Sequence, residues 1–320
     1  GFCTVNIEAI MVEYLRSRYG VKRIAVIDTD VHHGDGSQDV FYHDPNTLYI
    51  SFHQDGRTLY PGTGFPEEAG SPGAWSTNIN LPLLPGTGDE GLHRLYDGLI
   101  SHILEDFKPE LIINSAGQDN HFSDPLASMA VTAQGYARLA DKLQADIAVL
   151  EGGYSVESAL PYVNTGIILA MAGMDYSKVL EPDLSELRKQ DPRCNKRVDQ
   201  LIEQVGDLYF NRERTKKELL QKCNGVWQRK KHIYYDEEGI REQQVETVRY
   251  CSICDGYFTI QTAAEDTRFG DQSAFIVCLP RDICPNCKQR AYDEALREKK
   301  TGRWQYVFVQ HIVDGFIETI

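Results

Sequence analysis

The first half of the chain alternates short apolar runs with longer segments of helical pattern. Apolar runs of four to six residues, which predict buried parallel strands, occur at RIAVID (23–28), TLYISF (47–52), LIINSA (111–116) and IAVLEG (147–152). Apolar residues recur at helical spacing in HRLYDGLISHILEDF (93–107), and Thr132 is a suitable N-cap for the helical pattern of 133–144. The alternation predicts an α/β domain whose parallel sheet is flanked by helices.

The pattern changes after about residue 181. Charged segments with helical spacing, such as DQLIEQVGDLYFNRERTKKELLQK (199–222), replace the glycine-rich loops, and a cysteine-bearing region follows. We place a boundary in the polar stretch near 181–195. The predicted organisation is an α/β domain at 1–185, a helical connector at 186–245 and a small α+β region at 246–320.

Composition and charge argue against a disordered protein, a membrane protein and a nonspecific nucleic-acid-binding protein. With 42% hydrophobic and 25% charged residues, the chain has the make-up of a folded protein. Its apolar runs, such as GIILAMAG (166–173), are far shorter than the roughly 18 residues of a membrane span, so we expect no membrane contact. The net charge of −14 argues against nonspecific nucleic-acid binding by the whole chain, and residues 1–180 alone carry −13.

Polar side chains that suit a metal follow the first predicted strand. DTDVHHGDG (28–36) holds three carboxylates and two imidazoles directly after RIAVI. Alternation in an extended segment places Asp28, Asp30 and His32 on one face and His33 on the other. Burying several carboxylates together without a cation costs much free energy. A site for a divalent cation is therefore a simpler interpretation of this segment than a polar turn.

Two further predicted strands end in residues that could join this site. LIINSA is followed by GQDNHFSDP (117–125), in which Asp124 precedes a proline, and IAVL is followed by Glu151-Gly152-Gly153-Tyr154. Ligands of parallel sheets lie at the carboxyl ends of the strands. Two aspartates and one histidine leave a coordination position open, as in a catalytic metal site, and Tyr154 could donate a hydrogen bond to an oxyanion there.

These motifs resemble the zinc-dependent histone deacetylase family, which includes acetoin-utilization proteins and acetylpolyamine amidohydrolases. The matching stretches are GFCTVNIEAI (1–10), DTDVHHGDGSQDVFY (28–42), TLYISFHQ (47–54), LYPGTG (59–64), NSAGQDNHFSDPLASMAVT (114–132) and LEGGY (150–154). The resemblance covers residues 1 to about 180 and implies an arginase-like α/β fold. An arginase itself is disfavoured, because its metal pair needs a second DxDxxDP-like motif and only Asp119 and Asp124 appear here.

The resemblance also implies roles for individual residues. Asp30, His32 and Asp124 would bind Zn²⁺, and Tyr154 would stabilise the oxyanion while an N-acetyl amide is hydrolysed to amine and acetate. Further roles concern the surroundings of the metal: Asp28 and Asp35 would hydrogen-bond the family's active-site histidine pair, Asp28, Asp30, His32, Ser51 and Phe52 would hold K⁺, and Phe2, Tyr60 and Gly153 would line the acyl-lysine tunnel.

The family's histidine pair is the largest departure from the pattern. In the family, these histidines, one of which is the general base, lie a few residues before the GFC motif, and this chain starts at Gly1. We therefore expect a domain incomplete at its N-terminus and inactive by itself. A smaller departure is Gln118, where the family mostly has an aromatic or small residue.

Four of the eight cysteines form two CxxC pairs. Cys251 and Cys254 are separated from Cys284 and Cys287 by 29 residues, and Gly256 suits the tight turn after the first pair. Four thiolates in this arrangement predict a structural zinc ribbon, with SAFIVCL (273–279) forming part of an intervening hairpin. Rubredoxin-like iron and unligated thiols are the alternatives. Paired CxxC motifs, rather than a disulfide framework, favour a reducing compartment such as the cytoplasm.

Two functions remain open on the sequence. The leading one is a zinc-dependent deacetylase whose substrate is an acetylated lysine peptide or protein, or an acetylated small amine. The other is a non-catalytic deacetylase-like protein that binds acyl-lysine, with the ribbon as an interaction module for a protein or nucleic acid. The residues before Gly1 would separate the two functions, because a His-His pair there supports the enzyme and any other pair supports the binding protein. The sequence does not distinguish zinc from ferrous iron in the deacylase site.

Overall fold

The structure is a computed structural model, and it describes residues 5–182, 184, 189–235, 239–268, 270–312 and 315–320. The chain divides into two compact units, residues 1–215 and residues 216–320. Each unit is built around a sheet of its own.

The first unit contains a five-stranded parallel sheet with the strand order β3-β2-β1-β4-β5. Its strands are β1 (Ile24–Asp28), β2 (Thr47–Gln54), β3 (Asn78–Leu83), β4 (Leu111–Ala116) and β5 (Ile147–Leu150). Four of these strands are the apolar runs of the sequence, so the predicted parallel α/β fold is confirmed. The edge strand β3 was not predicted from the sequence.

Helices connect the strands of this sheet. They are α1 (Ile7–Tyr19), α2 (Asp35–Phe41), α3 (Asp89–Leu95), α4 (Ser101–Phe107), α5 (Ala133–Leu143) and α6 (Leu160–Met171), with a π-helical segment (Tyr96–Ile100) joining α3 to α4 and a 3-10 turn at Pro72–Ala74. Thr132 caps α5 as predicted, since its side chain accepts a hydrogen bond from the Gly135 amide at 3.0 Å. Asn6 caps α1 in the same way, accepting from the Ala9 amide at 2.8 Å.

The central strands are buried because helices cover both faces of the sheet. Side chains that alternate along β1 enter two separate apolar clusters: Ala25 and Ile27 pack in one, Ile24 and Val26 in the other. All four side chains are fully excluded from solvent. Burial of this kind contributes roughly 1.5–3 kcal/mol for each large aliphatic side chain, so the sheet is a rigid base for the loops at its ends.

Helix α7 (Pro192–Phe210) belongs to the first unit, and the predicted boundary at 185 is therefore displaced. Its stripe of Val198, Leu201, Val205 and Tyr209 lies in the same core cluster as the sheet. The Tyr209 hydroxyl also donates to Asp106 at 3.1 Å. The stripe has helical spacing, but a sequence alone does not show which surface such a stripe covers.

The second unit contains a mixed sheet, whose strands are mostly antiparallel, and one long helix. Its elements after α8 (Arg212–Lys222) are β6 (Val226–Tyr235), β7 (Ile240–Arg249), β8 (Tyr257–Glu265), β9 (Gln272–Leu279), α9 (Pro285–Thr301), β10 (Tyr306–His311) and β11 (Phe316–Thr319). The sheet order is β11-β10-β9-β8-β7-β6, and α9 packs on the central strands. The predicted helical connector over 186–245 is wrong beyond Lys222, because β6 and β7 pair there as a hairpin.

Helix α9 covers one face of this sheet through Cys287, Ala291 and Ala295, which pack with Phe275 and Val277 of β9. The strand predicted at 273–279 is β9, and it pairs with β8 as an antiparallel hairpin. In the described ranges of the chain, no helix is both long enough and apolar enough to cross a bilayer.

Candidate metal centre at the strand ends

The carboxyl ends of three neighbouring strands place polar side chains side by side. Asp28 ends β1 and lies in register with Ser51 of β2 and Ser115 of β4. All three side chains are buried. The chain leaves the sheet after Asp28, so the residues that follow it project over the same sheet edge as the loops after β4 and β5.

Asp30, His32 and Asp119 form the group best suited to a cation in the first unit. One ligand atom from each residue lies within 4.8 Å of the others. Nδ1 of His32 lies 3.1 Å from Oδ1 of Asp30 and 3.0 Å from Oδ2 of Asp119. Two carboxylates and an imidazole are hard and borderline donors of the kind that bind zinc and other divalent metals.

Backbone amides hold the two carboxylates in place. Oδ2 of Asp30 accepts from the Gly152 amide at 2.7 Å, and Oδ1 of Asp119 accepts from the Val31 amide at 2.8 Å. These bonds join the loop after β1 to the loops after β4 and β5. The group is therefore fixed by three strand ends rather than by one flexible loop.

The charges of this group show how strongly it attracts a cation. Burial alone would lower the pKa of His32, but hydrogen bonds and charges of Asp119 and Asp30 raise it to about 9. Burial raises the pKa of Asp119 to about 6, against the lowering effect of its bond to His32. Burial, with repulsion from Asp30 and Glu8, raises the pKa of Asp28 well above its ordinary value. The carboxylates thus favour a positive charge between them, such as that of a divalent cation.

Asp124 lies beside this group but outside the set of three. Its Oδ1 accepts from the Leu126 amide at 2.9 Å, and its Oδ2 accepts from the Tyr154 amide at 2.8 Å. The Tyr154 ring meets the His32 ring edge-on, with centroids 6.4 Å apart, and is about half exposed. The predicted ligand Asp124 and the predicted donor Tyr154 are therefore in direct contact with one another, next to His32.

At Gly152 the backbone lies close to the carboxylates of Asp30 and Asp119. A Cβ built at this position would lie 2.3 Å from Oδ2 of Asp119 and 2.6 Å from Oδ2 of Asp30. No side chain fits there without displacing the group. Gly152, the first glycine of the pair after β5, is therefore required because there is no room for a side chain.

His33 points away from the group, as the alternation of the segment predicts. It is buried, with its ring nitrogens 2.8 Å from Oγ1 of Thr63 and 3.2 Å from Oε1 of Gln38. Asp35 begins α2, and its carboxylate accepts from the Gly36 amide at 2.9 Å. Burial lowers the pKa of His33, with the charge of Asp35 among the opposing effects.

The residues expected to hold K⁺ or to line the tunnel occupy different settings. Ser51 and Phe52 are buried in β2, and Oγ of Ser51 lies 2.9 Å from Nδ1 of His53. Tyr60 is exposed on the loop after β2, and Gly153 is half-buried. Phe2 falls outside the described residues.

Three carboxylates near the group have no counterpart in the sequence-based set of ligands. Asp119 makes the contact with His32, and its signal was its position directly after β4. Glu8 is buried in α1 and accepts a hydrogen bond from Ser115. Burial, then the charges of Glu8 and Asp30, raises the pKa of Glu151 to about 7.

The family follows from comparison with known proteins. Residues 1–170 match the histone deacetylase domain family, a match that spans the strands, the metal group and Tyr154. The chain belongs to the histone deacetylase family. The shared region includes every motif on which the sequence resemblance rests.

This deacetylase-family chain is similar to curated relatives and to a solved structure. It is 52% identical over 204 residues to a probable deacetylase of Archaeoglobus fulgidus, covering 60% of this chain and 56% of the relative. It is 36% identical over 202 residues to the acetoin utilization protein AcuC of Bacillus subtilis, covering 60% and 52%. The solved HD domain of HDA15 superposes with a TM-score of 0.58 at 28% identity, covering 69% of this chain and 60% of that one. The chain spans about half the length of the curated relatives it matches.

Proposed function

We propose that this protein is a zinc-dependent deacetylase that hydrolyses N-acetyl amides, with Asp30, His32 and Asp124 as the metal ligands. The observation that supports it most is the meeting of Asp30 and His32 with a second carboxylate, that of Asp119, at the carboxyl ends of a parallel sheet. The family to which the chain belongs makes deacetylation the expected chemistry.

The residues present fit a zinc ion. Their donors are carboxylate oxygen and imidazole nitrogen, and they leave a coordination position for substrate. His32 already lies between two carboxylates, where its raised pKa shows that a positive charge is stabilised. Ferrous iron would accept the same donors, so metal analysis decides between the two ions.

Asp119 and Asp124 have different roles in this proposal. Asp119 is fully buried, and its two oxygens already serve the Val31 amide and the His32 ring. That pattern is typical of a carboxylate that orients a metal-binding histidine. Asp124 comes from the same loop and has the position that the family uses as a ligand. Its carboxylate accepts from the backbone amide of Tyr154, the residue whose ring meets His32, and this supports the assignment.

A bound zinc would lower the pKa of a water molecule to about 7 and would polarise the acetyl carbonyl. The Tyr154 hydroxyl would donate a hydrogen bond to the oxygen on which negative charge develops. Asp30 and Asp119 hold His32 in one orientation, so the site is preorganised. In the family, a histidine pair accepts the water's proton and returns it to the amine.

The proposed substrate is an acetylated lysine side chain or an acetylated polyamine. An acetylated polyamine keeps positive charge on its other amines, and a basic acetyl-lysine peptide carries it on neighbouring residues, while residues 1–180 have a net charge of −13. Phe2, Tyr60 and Gly153 would line the tunnel for the acyl chain. Asp28, Asp30, His32, Ser51 and Phe52 would hold a K⁺ ion; the register of Asp28 with Ser51 supports this part of the proposal.

An acyl-hydroxamate tests the function without requiring turnover, because it mimics the acetyl group and binds the metal through two oxygens. We expect the zinc-loaded chain to bind a lysine-derived hydroxamate, measured by calorimetry, and the metal-free chain not to bind it. His32→Ala should abolish binding, while His102→Ala, at an exposed position of α4, should leave it unchanged. Equal binding by the His32→Ala variant would refute the site.

A further inference from the structure

Four cysteine sulfurs meet in the second unit, far along the chain from the deacetylase motifs. One sulfur atom from each of Cys251, Cys254, Cys284 and Cys287 lies within 4.8 Å of the others. Cys287 is buried and the other three are half-buried. All four border the apolar cluster between α9 and the sheet.

The topology of the sheet brings the two pairs together. Cys251 and Cys254 lie in the turn that joins β7 to β8, after Arg249 and before Tyr257, which are paired across the hairpin. Phe258 at the start of β8 is paired with Cys278 near the end of β9. The chain therefore leaves β9 at the same end of the sheet as the β7–β8 turn, and the second pair follows at the start of α9.

The first pair lies in a turn whose backbone points at the sulfurs. The Ile253 amide donates to Sγ of Cys251 and the Gly256 amide donates to Sγ of Cys254, both at 3.4 Å. Gly256 has φ +86°, and a Cβ there would lie 1.7 Å from the Arg249 carbonyl oxygen. Amide donors to sulfur stabilise thiolates and shape a chelating turn.

The second pair lies at the positive end of a helix. Cys284 is the N-cap of α9, a helix of 17 residues, and Cys287 lies in its first turn. Four thiolates around a divalent ion carry a net charge of −2. The partial positive charge of the helix N-terminus offsets part of that charge.

We propose that the second unit holds one structural zinc ion, bound by the sulfurs of Cys251, Cys254, Cys284 and Cys287. Four protein ligands close the tetrahedral coordination and leave no position for substrate, so the ion serves the fold and not the reaction. It ties the β7–β8 turn to the start of α9, and the thiol protons are released to solvent when it binds. The site is separate from the deacetylase site in donors and in chain position, so it does not depend on the proposed function.

Cobalt(II) in place of zinc provides the test on the intact 320-residue chain. A tetrathiolate site gives intense tetrahedral d–d bands and sulfur-to-cobalt charge-transfer bands. The oxygen and nitrogen donors of the other site cannot give the charge-transfer bands. We expect one equivalent of cobalt to produce these bands and one equivalent of zinc to abolish them. A chain that binds cobalt without charge-transfer bands, or that shows sulfur-to-iron charge-transfer bands when purified, would overturn the proposal.

Single substitutions identify the ligands. Cys254→Ser should weaken the charge-transfer bands strongly and lower the affinity for zinc at least a hundredfold, while Cys223→Ser, outside the cluster, should leave both unchanged. His32→Ala should also leave the bands unchanged, which distinguishes this site from the deacetylase site. If a ligand variant fails to fold, the titration of the unsubstituted chain still decides. Unchanged bands in Cys254→Ser would refute the assignment.

Discussion

The carboxylates around His32 make different contacts, and these contacts assign different roles to neighbouring residues. Asp119 is fully buried and bonded to the His32 ring and to the Val31 amide. Asp124 is bonded to two amides, one of them that of Tyr154. Contact with the imidazole suits a residue that positions a ligand. Asp124, which accepts one backbone amide on each oxygen, keeps a second lone pair on each oxygen for a metal.

Substitution of each aspartate by asparagine distinguishes these roles. Asp124→Asn should lower the affinity for zinc by more than about a hundredfold, because a ligand is lost. Asp119→Asn should lower it by only about 10–100-fold, because only the orientation of His32 is affected. Asp207→Asn, on α7, is the control. Zinc titration with a competing chelator measures all three, and the reverse ranking would make Asp119 the ligand.

Tyr154→Phe removes a hydroxyl and leaves the ring in contact with His32. We expect kcat to fall about 100-fold or more, because a lost oxyanion donor typically costs about 2.7–4 kcal/mol of barrier. Zinc content should not change. A near-normal kcat on an acetyl-lysine peptide would remove Tyr154 from this role.

At the scale of elements, strand ends and helix caps followed from the sequence where local patterns decide them. The runs at β1, β2, β4 and β5 and the Thr132 cap were all predicted. β3 was not, because its sequence NINLPL carries Asn78 and Asn80, which look like loop residues. Both are buried and donate to Oε1 of Gln38 at 2.7 Å, a long-range contact that a sequence does not show.

The contact of His32 with Asp119 escaped prediction for a similar reason. Alternation along the segment after β1 shows which side chains share a face, but not which residue of the next loop meets them. A loop that contains two aspartates, Asp119 and Asp124, leaves that choice to tertiary structure. The same limit applies to α7, whose apolar stripe was visible but whose partner was not.

The turn after β5 makes a steric prediction. Gly152→Ala should lower the affinity for zinc about tenfold or more, because the added Cβ overlaps oxygens of Asp119 and Asp30. Gly36→Ala, on α2, is the matched control, since no atom lies within 4 Å of a Cβ there. The competition titration used for the aspartate variants measures both. Equal affinities would show that the turn does not position the carboxylates.

The cap of α5 makes a prediction about stability. Thr132 accepts from the Gly135 amide at 3.0 Å and donates to Oδ2 of Asp89 at 2.7 Å. Thr132→Ala should therefore lower the free energy of unfolding by about 0.5–2 kcal/mol. Thr165→Ala, at an exposed position in α6, should change it by much less. Urea unfolding monitored by circular dichroism makes the comparison, and no difference between the variants would contradict the capping role.

At the scale of the whole molecule, the chain joins a deacetylase-family unit to a second unit with its own sheet and cysteine cluster. Their donors differ in kind: carboxylate and imidazole in the first, thiolate in the second. We therefore predict two independent metal ions per chain. The first has a coordination position open to substrate, and the second has its coordination closed by four thiolates.

Anomalous diffraction at the zinc absorption edge, on crystals of the zinc-loaded chain, tests this most directly. The account predicts two peaks, one within about 2.0–2.2 Å of ligand atoms of Asp30, His32 and Asp124, and one about 2.3 Å from each of the four cysteine sulfurs. A well-occupied sulfur site with no peak beside Asp30 and His32 would contradict the proposed deacetylase centre.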